Sequence, residues 1–140
     1  MKFISTIVVS LLFLLPVTSF AALTITKVSD LVFPDTTITG AAINLVVAPT
    51  AAGAATFNAT GGGKNKTFNT RKVVQTSVSM TAPGVAGTIV VNSFTYSSTP
   101  NKFDASGNAN GIKVGATARI LSTTLDGNYT GTLTFRLVSN

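Results

Sequence analysis

The side chains able to do chemistry in this chain are few and of one kind. It carries four acids, Asp30, Asp35, Asp104 and Asp126, against ten Lys and Arg, and has no His, Cys, Trp or Glu. General acid–base catalysis, thiol nucleophiles and soft-metal ligation draw mainly on the missing types. A Ser/Lys pair, paired Asp residues or a Tyr would have to serve instead, and the four Asp are scattered along the chain among predicted turns and strand edges. No catalytic residue, cofactor site or metal site is expected, and the chain reads as a non-enzyme.

Two segments merit a chemical test. Gly61-Gly-Gly-Lys-Asn-Lys66 invites comparison with a phosphate loop, but that loop requires Gly-Lys-Ser/Thr so that a hydroxyl reaches magnesium, and Asn65 follows Gly63-Lys64. As a basic patch, Lys64, Lys66, Arg71 and Lys72 are weak candidates for contacting a polyanion, in a glycine-rich loop with only Phe57 and Phe68 nearby. Nucleic acid is not an expected partner. Asp104-Ala-Ser106-Gly-Asn108-Ala-Asn110 alternates oxygen-bearing side chains like the start of a calcium loop. Ala109 and Gly115 stand where that loop needs Gly and Glu, so a turn built on Asp, Asn and Gly is expected.

Residues 1–21 read as an export signal. Lys2 supplies the positive start, Ile7–Leu15 the apolar run, and Ser19-Phe20-Ala21 the small residues before cleavage. The run is too short for a membrane anchor, which takes about 20 apolar residues, so no transmembrane segment is expected after cleavage. Residues 22–140 then form one domain, destined for the periplasm, the cell surface or the extracellular space. Without cysteine, that domain must rely on packing and strand pairing. The polar residues are chiefly neutral, with 21 Thr, 9 Ser and 10 Asn in residues 22–140, and Thr favours strands.

Turn residues recur at short intervals and no helical period is sustained, which predicts an all-β fold. The expectation is an immunoglobulin-like sandwich of about seven antiparallel strands. The predicted strands are Leu23–Phe33, with a kink or bulge near Lys27–Ser29, then Ala42–Ala48, Ala54–Thr60, Val73–Met80, Thr88–Tyr96, Ile112–Ile120 and Tyr129–Val138. The last alternates, placing Tyr129, Leu133, Phe135 and Leu137 on a core face. In Thr88–Tyr96 the sequence Ile89-Val-Val91 with Phe94 leaves the buried face open.

The segments Leu23–Lys27, Asp30–Phe33, Phe103–Gly107, Val114–Ala116, Asp126–Gly131 and Thr132–Val138 resemble a family of small exported bacterial β-sandwich domains of unknown function, similar to fimbrial and spore-coat-U-type subunits. The resemblance implies an immunoglobulin-like fold outside the cytoplasm, on the surface or in a fibre, and no catalytic residues. The expected function is an exported structural or fimbria-like subunit, assembled by β-strand addition. Leu23, Ile25, Leu31 and Phe33 are its candidate inserting residues. Its expected partners are further copies of itself or other surface subunits, with a periplasmic chaperone and usher. The alternative is a secreted, self-complete sandwich that binds a glycan or other surface polymer, through Tyr96, Phe68 or the basic loop.

Overall fold

The computed structural model describes residues 22–69, 76–134 and 136–139. The export signal, Arg71, Lys72 and Phe135 lie outside them. Among the described residues the fold is all-β. Eight strands are present: β1 Thr24–Ser29, β2 Ile43–Val47, β3 Ala55–Thr60, β4 Phe68–Asn69, β5 Ser77–Met80, β6 Ile89–Tyr96, β7 Ala109–Ile120 and β8 Val138–Ser139. Six form one antiparallel sheet in the order β1-β3-β7-β6-β5, with β2 also on β7. β4 and β8 pair as a separate two-stranded ribbon.

β7 is the axis of the sheet. Its inward residues Ile112, Val114, Ala116, Ala118 and Ile120 are all buried, as their strict alternation demands. One edge carries β6. The other carries two strands end to end: β3 along Ala109–Val114 and β2 along Ala116–Ile120. β2 and β3 thus behave as one long strand interrupted by the excursion 48–54, and Gly115 is the residue beneath the break. A Cβ there would lie 2.1 Å from the Val47 carbonyl oxygen and 2.9 Å from Pro49 N. Only glycine lets that backbone close over β7.

Bulges decide which residues face in. In β6, Ile89 and Val91 point to the core, then the register shifts between Asn92 and Thr95. Ser93 takes a left-handed φ of 52°, and beyond it Phe94 rather than Ser93 turns toward the core, joining the second cluster described below. This settles the face that the sequence leaves open. In β7, Gly111 (φ 75°) makes the equivalent shift between Ala109 and Ile112, and its N–H donates to Asn58 Oδ1 at 3.0 Å. β1 carries the expected irregularity, at Val28, and is shorter than predicted, ending at Ser29.

The core is divided along β7. One cluster joins Ala59, Phe68, Phe103, Ala109, Ile112 and Leu137, with the Phe68 and Phe103 ring centroids 5.0 Å apart. The other joins Ile89, Val91, Ala116, Ala118 and Ile120, with Leu31, Phe33, Ile38, Leu45, Met80 and Tyr129 packed on them. The C-terminal segment reaches both: Tyr129 rests on the second cluster and Leu137 is buried in the first. Its described part is a ladder only at the Thr81–Thr130 bridge and in β8, however. Past Thr130, Gly131 is crowded by Met80 Cγ at 3.0 Å from a notional Cβ and by the Ser79 carbonyl at 3.1 Å. Described residues 131–134 and 136–137 form no strand.

Two substitutions test this architecture. Phe103→Ala removes a ring with no solvent exposure and should cost about 3–5 kcal/mol, whereas Val46→Ala, on the exposed face, should stay within about 0.5 kcal/mol; denaturant midpoints give both. Gly115→Ala pushes on backbone and should destabilise by roughly 1–3 kcal/mol, with faster hydrogen exchange confined to β2. Unchanged exchange would mean that β2 does not depend on this contact.

Candidate functional site

The four acids meet different fates. Asp30 pairs with Lys27 (Nζ to Oδ1, 2.6 Å), but the two side chains are 72% and 59% exposed, so solvent screening leaves the pair a contribution of about 0–1 kcal/mol. Asp104 builds a turn: its Oδ1 accepts from the N–H of Ser106 at 2.8 Å and of Asn108 at 2.9 Å. That Asx turn is what Asp, Asn and Gly at this spacing predict. Among the described residues no three His, Cys, Asp or Glu side chains gather where they could hold a metal ion. Asp35 and Asp126, far apart in sequence, line one cleft.

That cleft has a volume of about 630 Å³ and runs between the loop after β1 and the turn after β7. Its floor is the second cluster, including Leu45, Ile89, Ala118 and Ile120. Tyr129 closes one side, its hydroxyl donating to the Leu125 carbonyl at 2.9 Å. A second cleft of about 450 Å³ adjoins it, sharing Leu31, Phe33, Met80 and Tyr129 and reaching Leu133 and the Lys27–Asp30 pair. The sequence did not point to these clefts, because their acids sit in separate turns and only the sheet brings those turns to one face.

The candidate strand-addition residues divide. Thr24–Ser29 pairs with β3, Thr24 opposite Thr60 and Ile25 opposite Ala59. Ile25 packs on the first cluster, while Leu23 is 37% exposed. Leu31 and Phe33 lie beyond the end of the strand and pack on the second cluster. The four do not form a single inserting face. Val28, at the bulge, is exposed.

Of the basic segment, Lys64 and Lys66 are described, and both are exposed. They flank Asn65 in a tight turn in which Lys66 N–H donates to the Gly63 carbonyl at 2.9 Å and Asn65 takes a φ of 55°. The glycines have a packing reason: a Cβ at Gly62 would lie 2.4 Å from the Phe103 ring. Phe68, considered above as a polymer contact, is buried against Phe103 and offers no stacking surface. Tyr96 is half-buried, and burial raises its phenol pKa above the ordinary value, so it remains protonated near neutral pH.

No family model, no curated protein and no solved structure matches this chain. The functional reading therefore rests on the residues themselves.

The two N–H donors on Asp104 supply a check on this part of the surface. Saturating calcium should leave the unfolding temperature unchanged, while Asp104→Ala should lower stability by about 1–3 kcal/mol. A calcium-dependent rise in melting temperature would replace the turn with an ion site.

Proposed function

We propose that this chain is an exported structural subunit of a bacterial surface or fimbria-like assembly, joined to further copies by exchange of its N-terminal strand. The observation that carries this reading is the state of β1. Among the described residues it ends the sheet, pairs with no strand but β3, breaks register at Val28, and places only Ile25 against the core. An edge strand so lightly held costs little to release, and an identical strand from a second copy restores every bond it loses. Leu23 and Ile25 would enter with the strand, and Leu31 and Phe33 would stay behind on the second cluster as the fixed side of the hinge. An immunoglobulin-like sandwich of about seven strands suits this reading, with the β4–β8 ribbon and the C-terminal segment as the partial second layer. Export through residues 1–21 belongs to the same proposal, as do a chaperone and usher to shield the strand before assembly.

The chain lacks cysteine, which permits a direct test. Thr24 and Thr60 are register partners, within the Cα separation that a disulfide accepts. In a Thr24→Cys, Thr60→Cys double variant oxidised on intact cells, exchange predicts a ladder of covalent multimers that survives boiling without reductant. A crosslink formed only within single chains would end the exchange reading and favour a self-complete module that binds a surface polymer.

A further inference from the structure

The chain has a formal charge of +6, yet three of its four acids face the two adjoining clefts. Asp30 is paired with Lys27. Asp35 and Asp126 line the larger cleft, and neither has an ion-pair or hydrogen-bond partner among the described residues. Two unpaired carboxylates therefore rim an apolar floor at the end of β7 marked by Ile120.

The opposite end of β7 presents the complement. There the Gly63–Lys66 turn projects Lys64 and Lys66, and Lys102 lies beside it through the Thr67–Lys102 bridge. None of these three ammonium groups has an ion-pair partner among the described residues. The turn is also braced. Gly62 N–H donates to the Gly107 carbonyl at 3.0 Å, Asn65 N–H to the Asp104 carbonyl at 3.2 Å, and Phe103 N–H to the Lys66 carbonyl at 2.9 Å. The acid nearest in this loop, Asp104, has its Oδ1 committed to two backbone N–H groups. A rigid, doubly basic turn thus stands about 40 Å of strand away from an acid-rimmed cleft, at roughly 3.3 Å per residue over the twelve residues of β7.

The geometry points to a head-to-tail contact in which the Gly63–Lys66 turn of one copy docks in the Asp35/Asp126 cleft of a second copy. Lysine suits both parts of this cleft: its methylene stem covers apolar surface while the ammonium stays with the carboxylates at the rim. Turn and cleft lie at opposite ends of β7, so one copy cannot satisfy both of its own sites by this contact. The interface is heterologous and each docking leaves a free turn and a free cleft, which extends into an open chain of subunits. The inference rests on the reading that the chain associates with itself, and it supplies a second contact distinct from strand exchange.

Sedimentation velocity of residues 22–140 at about 0.01 M and about 1 M salt tests it, since the screening length falls from roughly 30 Å to 3 Å between these conditions. Association that is stronger at low salt than at high salt is expected, since screening weakens this contact and not strand exchange. Lys64→Gln with Lys66→Gln, and separately Asp35→Asn with Asp126→Asn, should each weaken association about tenfold or more. All four positions are exposed, and thermal unfolding checks that both variants remain folded. Mixed together, the two variants should recover salt-sensitive pairing that neither shows alone, because one intact turn and one intact cleft remain to meet. A wild-type chain that stays monomeric at both salt concentrations overturns the inference, as does association unchanged in either variant. So does a monomer whose cleft instead binds polylysine, which would give the site to another basic partner.

The two assembly contacts fail separately. Disulfide-linked multimers from the Thr24/Thr60 pair, with no salt-sensitive association, would leave strand exchange standing and remove turn docking. Salt-sensitive association with crosslinks only within single chains would do the reverse.

Discussion

Everything in this fold depends on β7 having both edges occupied and one face buried along its whole length. Five inward side chains, from Ile112 to Ile120, lose their contact with water, and each larger one contributes on the order of 1.5–3 kcal/mol of burial. Ala116 and Ala118 are the narrow positions, and they let Val91, Leu45 and Phe94 approach the strand axis. With no cysteine to form a disulfide, these contacts and the ladders to β2, β3 and β6 carry the structure. The outer face is built differently, chiefly from polar residues such as Thr117, Lys113 and Arg119 on the alternate positions, with Val46 and Val90 exposed among them.

The strands were legible in the sequence wherever alternation was clean. Ile112–Ile120 and Ala42–Ala48 emerged within a few residues of their predicted bounds, since period-two burial leaves a direct mark on residue type. What alternation cannot express is a change of parity. The positive φ of Ser93 and Gly111 shifts the register of β6 and β7, and nothing in Asn92-Ser-Phe94 announces this. The opposite error occurs at the C-terminus, where Tyr129–Val138 alternates like a strand. Apolar residues facing a core need only the core, not a neighbouring ladder, so the same pattern served a segment whose described residues 131–134 and 136–137 form no strand.

The site was less legible than the fold for a related reason. Single residues such as Asp104 revealed their role because the turn they build is local. Asp35 and Asp126 share a cleft only through β7 and its neighbours, and the turn bearing Lys64 and Lys66 is braced by residues about forty positions on, Phe103, Asp104 and Gly107. The result is a small domain with a lysine-bearing turn near one pole of β7 and a cleft rimmed by Asp35 and Asp126 near the other. Its divided core gives each pole its own apolar support, so the two poles are fixed with respect to one long strand.

The place of β7 in the chain bears on how the molecule reaches this state. Ile43 waits for Ile120, Ala55 for Val114 and Val91 for Ala118, while only β1–β3 and β5–β6 can pair earlier. Until residues 109–120 arrive, most of the apolar surface has no counterpart, and two isolated hairpin-like pairs are marginal in water. Such a chain closes its longest loops last and folds slowly. It also stays threadable until its final fifth is present, a kinetic property well matched to any route that must pass an extended polypeptide through a narrow channel.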